Sequence, residues 1–196
     1  WVAYDLKAKA KINLTKGLPV PFYDELNDSP SLPSSYGVAG WLSGDESIVL
    51  NDRFDIWKID PRNPSAAQNI TSGEGRKRQI TFRRERLKVD EVEIVPKETL
   101  VLSAFDEQTK RNGYFIGDFA GKSIPKQLLL TDHRYTGLKK AENSNQVLLR
   151  RSTYVENPDL YLGDLSFASL VKASSLNPKQ ANVKWGNVKL VSYLAQ

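Results

Sequence analysis

Short apolar runs of three to six residues, broken by Gly, Pro, Asn, Asp and Ser, set the rhythm of this chain. The stretch from Trp41 to Asp60, WLSGDESIVLNDRFDIWKID, shows the unit. Two apolar runs, Ile48-Val49-Leu50 and Ile56-Trp57-Lys58-Ile59, flank a polar Asn51-Asp52-Arg53 corner and follow a Ser43-Gly44-Asp45 turn. That pattern predicts a β-meander, because short runs bounded by turn residues suit strands. No window of twelve or more residues sustains the i, i+3, i+4, i+7 spacing of a helix, so the expected fold class is all-β.

The unit repeats. Ile56-Trp57-Lys58-Ile59-Asp60, Tyr114-Phe115-Ile116-Gly117-Asp118 and Leu160-Tyr161-Leu162-Gly163-Asp164 share one frame, apolar then aromatic and closing on Asp. Trp1-Val2-Ala3-Tyr4-Asp5 fits it with Val2 at the aromatic position. Each is followed by a closing run: Asn13-Leu14-Thr15, Asn69-Ile70-Thr71, Leu129-Leu130-Thr131 and, more weakly, Leu170-Val171-Lys172. Ile48-Val49-Leu50, Leu100-Val101-Leu102 and Val147-Leu148-Leu149 precede the later three, and first strands fit at Tyr36–Trp41, Gln79–Arg83 and Gly137–Ala141.

A repeat of roughly fifty residues with four short strands matches a propeller blade. The expected architecture is a partial β-propeller with three full four-stranded blades at residues 36–75, 76–132 and 133–176. Residues 1–35 hold the outer strands of a preceding blade and a connection rich in proline, with Pro19, Pro21, Pro30 and Pro33. Residues 177–196 follow the last blade. Three blades and a fragment do not close a ring, so apolar blade faces are expected to be left open.

Composition narrows the chemistry. The 196 residues are 40% hydrophobic, enough for a packed core, and contain no cysteine, which excludes disulfides and thiolate metal sites. No apolar run approaches the ~20 residues of a membrane-spanning helix. The sequence opens on Trp1 and has no methionine, so it is expected to be a piece of a longer protein whose targeting segment lies outside it.

Trp41-Leu42-Ser43-Gly44-Asp45-Glu46-Ser47-Ile48-Val49-Leu50 resembles the W-S-P-D-G-x-x-I-A-Y blade signature of prolyl oligopeptidase-like and TolB-like propellers, with Gly44 and Glu46 replacing its Pro and Gly. Asp52–Pro61, Leu102–Lys110 and Asn157–Tyr161 are similar to propeller segments of bacterial serine peptidases of the prolyl oligopeptidase family, which includes dipeptidyl peptidase IV-like enzymes. Asn177–Gln180, Trp185-Gly186 and Val188–Tyr193 resemble the exit of such a propeller into an α/β-hydrolase domain. The resemblance runs from about Gly40 onward. It implies a periplasmic or secreted, non-catalytic propeller portion that gates and orients peptide substrates for a hydrolase domain outside this chain. Its partners are then the rest of the propeller, that hydrolase domain and a peptide, with no nucleic acid, no membrane span and no cofactor. The alternative is a TolB-like propeller acting as a protein-binding module.

The residues themselves offer little catalysis. A nucleophile elbow needs glycines on both sides of its serine, and Gly121-Lys122-Ser123-Ile124-Pro125 lacks the second, so it reads as a hairpin turn. The single histidine, His133, falls in a polar link and reads as a surface residue; one histidine without cysteine gives no metal cluster. No catalytic residue is assigned.

Arg76, Lys77, Arg78, Arg83, Arg84, Arg86 and Lys88 form a basic run in a chain of net charge +5. Ile80 and Phe82 alternate with Thr81 and Arg83, so the run reads as a strand with one solvated face, neutralised by Asp90, Glu91 and Glu93. A sharper reading places Arg78 or Arg83 on an inner strand, facing the channel or a substrate carboxylate. Related dipeptidyl peptidases capture the substrate amine with adjacent glutamates. Glu91-Val92-Glu93 and the lone Glu156 do not match that motif. Trp57, Phe115 and Tyr161 recur at one position and read as packing residues between blades.

Overall fold

The computed structural model describes residues 1–88 and 90–194. Fourteen short strands form four antiparallel sheets, all of them meanders. β1 (Val2–Asp5) and β2 (Ala10–Asn13) make a two-stranded sheet. β3 (Val38–Trp41), β4 (Ile48–Asn51), β5 (Ile56–Ile59) and β6 (Gln68–Asn69) make the second sheet. A five-residue helix, α1 (Glu74–Arg78), leads into the third: β7 (Ile80–Arg84), β8 (Leu100–Asp106), β9 (Asn112–Gly117) and β10 (Lys126–Thr131). The fourth holds β11 (Arg134–Lys140), β12 (Gln146–Ser152), β13 (Asp159–Asp164) and β14 (Val171–Lys172). The strands expected from the apolar runs are found at or within a few residues of their places.

The core lies between sheets, in three layers that follow chain order. Ile48, Leu50, Trp57 and Ile59 of the second sheet meet Leu14 and Phe22. Val49 and Ile56, on its other face, meet Ile80, Phe82, Leu100, Leu102 and Phe115 of the third sheet. Val101 and Tyr114 turn the other way and meet Leu138, Val147, Leu149 and Tyr161 of the fourth. The period-2 alternation of a strand therefore sends neighbouring residues of β4 and β8 into different layers. Trp57, Phe115 and Tyr161 are buried packing residues in equivalent register, opposite Leu50, Leu102 and Leu149.

A hydrogen-bond device closes two of these sheets. The Thr71 hydroxyl donates to Asp55 at 2.6 Å and accepts from the Ile56 N–H at 3.2 Å. In the fourth sheet the Ser174 hydroxyl donates to Asp159 at 2.8 Å and accepts from the Leu160 N–H at 2.8 Å. The same aspartates then hold the chain as it leaves: Asp55 accepts from the Gly75 and Arg76 N–H groups, and Asp159 from that of Leu176. In the third sheet Gly113 stands where the aspartate would, because a Cβ there would lie 1.8 Å from the Leu129 carbonyl oxygen.

The two ends of the stack are open. Val2 and Tyr4 are 57% and 54% exposed on one outer face, and Leu162 and Val171 are 49% and 64% exposed on the other. Among the described residues no helix is long and apolar enough to cross a membrane.

Two measurements check this packing. Phe115→Ala removes a fully buried ring from the middle layer and is expected to cost about 3–5 kcal/mol, read as a lower denaturation midpoint at unchanged slope. Lys172, the Leu176 N–H and Ser174 together hold the Asp159 carboxyl down to about 2. A folded-state value below the unfolded carboxylate range of about 3.9 contributes stability above that range, and it is lost as pH falls toward 2. Thermal melts should show wild type above Asp159→Asn at neutral pH, with the two converging on acidification from pH ~4 to ~2.

Candidate functional site

The polar corner between β4 and β5 sets the geometry of the candidate site. Asp52 is fully buried and accepts from the Phe54 and Asp55 N–H groups at 2.7 and 2.9 Å and from the Trp57 indole at 2.7 Å. This turns the corner tightly and projects Arg53 and Phe54 toward the third sheet. The Phe54 carbonyl accepts from the Phe82 N–H at 2.8 Å, joining the corner to β7.

Arg83 sits on that strand. It donates to the Phe82 carbonyl at 2.6 Å and the Arg53 carbonyl at 3.2 Å, and its guanidinium lies 5.7 Å from the centre of the Tyr36 ring. No carboxylate lies within 4.0 Å of it among the described residues. Burial, only partly offset by Asp52, Tyr36 and Asp55, holds its guanidinium below the usual arginine range. Beside it, Arg53 pairs with Glu107 at 2.6 Å, and Thr81 bonds that glutamate at 3.3 Å. Asn51 donates to the Tyr36 carbonyl at 3.3 Å, while its own buried side-chain oxygen has no partner. The result is a shielded cation on an edge strand, held by carbonyl groups alone and able to accept an anionic oxygen ligand.

Arg78 differs from its expected place. It belongs to α1, not to a strand, because Gln79 takes a left-handed conformation and ends the helix before β7 starts at Ile80. Its guanidinium is exposed and caps the Phe115 ring at 5.5 Å. Of the two candidates, Arg83 lies on the first strand of its sheet and Arg78 does not.

The basic run keeps the expected alternation on β7, with Ile80 and Phe82 buried and Thr81 and Arg83 partly exposed, and Lys77, Arg78, Arg86 and Lys88 are exposed. The β4–β5 corner shields Thr81 and Arg83 in part, both donating to the Arg53 carbonyl, and Arg84 donates to the Ala39 carbonyl. Most of the run is matched by acids: Arg76 with Glu25 and Asp52, Lys77 with Glu74, Arg84 with Glu91, and Lys88 with Glu98.

Ser123 donates to Asp118 at 2.6 Å within the β9–β10 turn. His133 bonds the Thr131 hydroxyl at 3.2 Å and faces Glu156 at 3.6 Å. Glu156 also pairs with Arg151, and Glu93 is exposed.

Tyr36, Asn51, Arg53 and Glu107 escaped the sequence reading as site residues. Arg53 and Glu107 lie 54 positions apart, and each occupies a turn whose composition signals only a corner.

No family model matches the chain, and no curated protein matches it significantly.

The absence of a counter-charge gives Arg83 a distinctive energetic signature. Arg83→Met is expected to change stability by less than about 1 kcal/mol, since the desolvation penalty of the cation disappears with its hydrogen bonds. Asp55→Ala strands the Gly75 and Arg76 N–H groups, while the Thr71 hydroxyl keeps Asn69 as an acceptor, and should cost about 2–4 kcal/mol. Urea titrations of the two variants check the contrast.

Proposed function

We propose that this chain is the non-catalytic propeller portion of a prolyl oligopeptidase-like serine peptidase, gating and orienting peptides for an α/β-hydrolase domain outside residues 1–196. The observation that carries the reading is the stacking of antiparallel meander sheets in chain order, with Trp57, Phe115 and Tyr161 at one register. In that reading the sheets are blades, and the first strand of each, β3, β7 or β11, lies toward the channel axis. The open outer faces are where the remaining blades pack. Arg83, on β7, then offers its guanidinium to a carboxylate of the peptide. A periplasmic or secreted location goes with this reading.

Binding measurements test this directly. Fluorescence anisotropy should show labelled short peptides with a free C-terminal carboxylate binding about tenfold more tightly than their amides, a preference that Arg83→Gln abolishes. Equal binding of acid and amide removes Arg83 from substrate recognition, and no saturable binding of either favours the TolB-like, protein-binding propeller. The hydrolase part of the reading is lost if the coding sequence beyond residue 196 lacks a Gly-x-Ser-x-Gly elbow followed by Asp and His.

A further inference from the structure

Glu25, Glu74, Glu91, Glu98 and Glu107 are all partly shielded from solvent, and each pairs with an arginine or lysine. Glu85 is shielded like them, yet no cation lies within 4.0 Å of it among the described residues. It extends β7 by one bond, its N–H donating to the Val101 carbonyl at 2.9 Å. The side chain turns toward Ser103 and Tyr114, on the side of the third sheet that faces the fourth. Burial pushes its carboxyl up, and the nearby carboxylate adds to the rise of the Tyr114 phenol.

Glu85 also lines a cavity of about 760 Å³ bounded by residues from 84–88 and 90–99, Phe119, the β11–β12 turn and Leu165. Two anchors fix the roof. Ile94 donates to the Trp41 carbonyl at 2.7 Å and accepts from the Ser43 N–H at 2.9 Å, and Arg84 pairs with Glu91 while donating to the Ala39 carbonyl. Once Arg84–Glu91 and Lys88–Glu98 are paired off, the lining keeps the carboxylates Glu85, Asp90 and Glu142 against Lys97 and Lys140. Lys97 and Glu142 are exposed, Lys140 donates to its neighbouring Ala141 carbonyl, and neither lysine lies within 4.0 Å of Glu85. Leu87, Phe119 and Leu165 supply apolar wall. A cavity that joins an unmatched, shielded carboxylate to apolar surface favours a cation on an apolar body.

We propose that this cavity binds a small organic cation, a primary amine carried on an aromatic or branched apolar group, with Glu85 as its counter-charge. The site is separate from the Arg83 corner and does not rest on the peptidase reading. Titration of the chain with phenethylammonium chloride, followed by NMR shifts or calorimetry, is expected to give saturable binding at one site. The isosteric neutral alcohol, 2-phenylethanol, and the variant Glu85→Gln with the amine should each bind at least about tenfold more weakly. Glu85→Asp, which keeps the charge, should retain part of the affinity, and thermal melts confirm that each variant is folded. Equal binding of amine and alcohol to wild type overturns the proposal without recourse to any variant. So does equal binding of the amine by folded Glu85→Gln, or a failure to saturate with the amine.

Discussion

Two buried aspartates hold the hairpin on which the neighbouring sheets depend. Asp52 and Asp55 flank the β4–β5 corner, with accessibilities of 0% and 1%. Burial and the nearby Asp52 charge both push the Asp55 carboxyl up, against donors that favour its ionised form. Two buried carboxylates persist because each takes three hydrogen bonds from N–H or O–H groups. Arg76, 3.5 Å from Asp52, offsets their charge and also binds Glu25 through its two terminal guanidinium nitrogens. The consequences spread outward. The corner orients Trp57 into the first layer, receives the chain leaving β6, starts α1 and so positions β7. Through Glu25 it also pins the proline-rich connection, whose Glu25 N–H donates to the Tyr36 hydroxyl at 2.8 Å.

The strands were legible because their signals are local. Apolar triplets such as Ile48-Val49-Leu50 and corners such as Asn51-Asp52-Arg53 report strand and turn without any knowledge of neighbours, and the repeated aromatic frame gives their register. The misplacement of Arg78 has an equally local cause. Five residues of helix lie below the length at which helical periodicity becomes visible, and a run of charges gives no apolar stripe to read. The aspartate–hydroxyl device was hidden differently. Asp55 meets Thr71 and Asp159 meets Ser174 across 16 and 15 positions, and the third sheet replaces the aspartate with Gly113, so the motif has no constant spelling.

The outermost sheet is written like an interior one. In the second and third sheets the outward-facing pairs Val49–Lys58 and Val101–Ile116 are covered by the next sheet, Lys58 reaching the Phe119 carbonyl at 3.1 Å. The equivalent pair in the fourth is Leu148–Leu162, with Val171 beside it. A strand with one wet face alternates apolar with polar residues, whereas Val147-Leu148-Leu149 runs apolar on both. The sequence of β12 therefore matches a doubly covered strand, in keeping with a stack that continues in the proposed propeller.

Within this frame β7 is the anomaly. Arg83 and Glu85 carry opposite charges two positions apart, where an ion pair would satisfy both, yet they turn to different surroundings. Arg83 is drawn to the Arg53 and Phe82 carbonyls and the Tyr36 ring, while Glu85 turns toward Ser103 and Tyr114. Ser103, opposite Arg83 in register, donates to the Arg83 carbonyl at 3.2 Å and so sits beside the strand between them. Each charge thus bears a desolvation penalty that its neighbour does not relieve. Several other shielded charges are paired, at Arg53–Glu107, Arg76–Glu25, Arg84–Glu91 and Lys172–Asp159. Asp55, buried without a cation of its own, is held by three hydrogen-bond donors; Arg83 has only carbonyl acceptors, so the two unmatched charges of β7 are the ones on which the proposed ligand contacts rest.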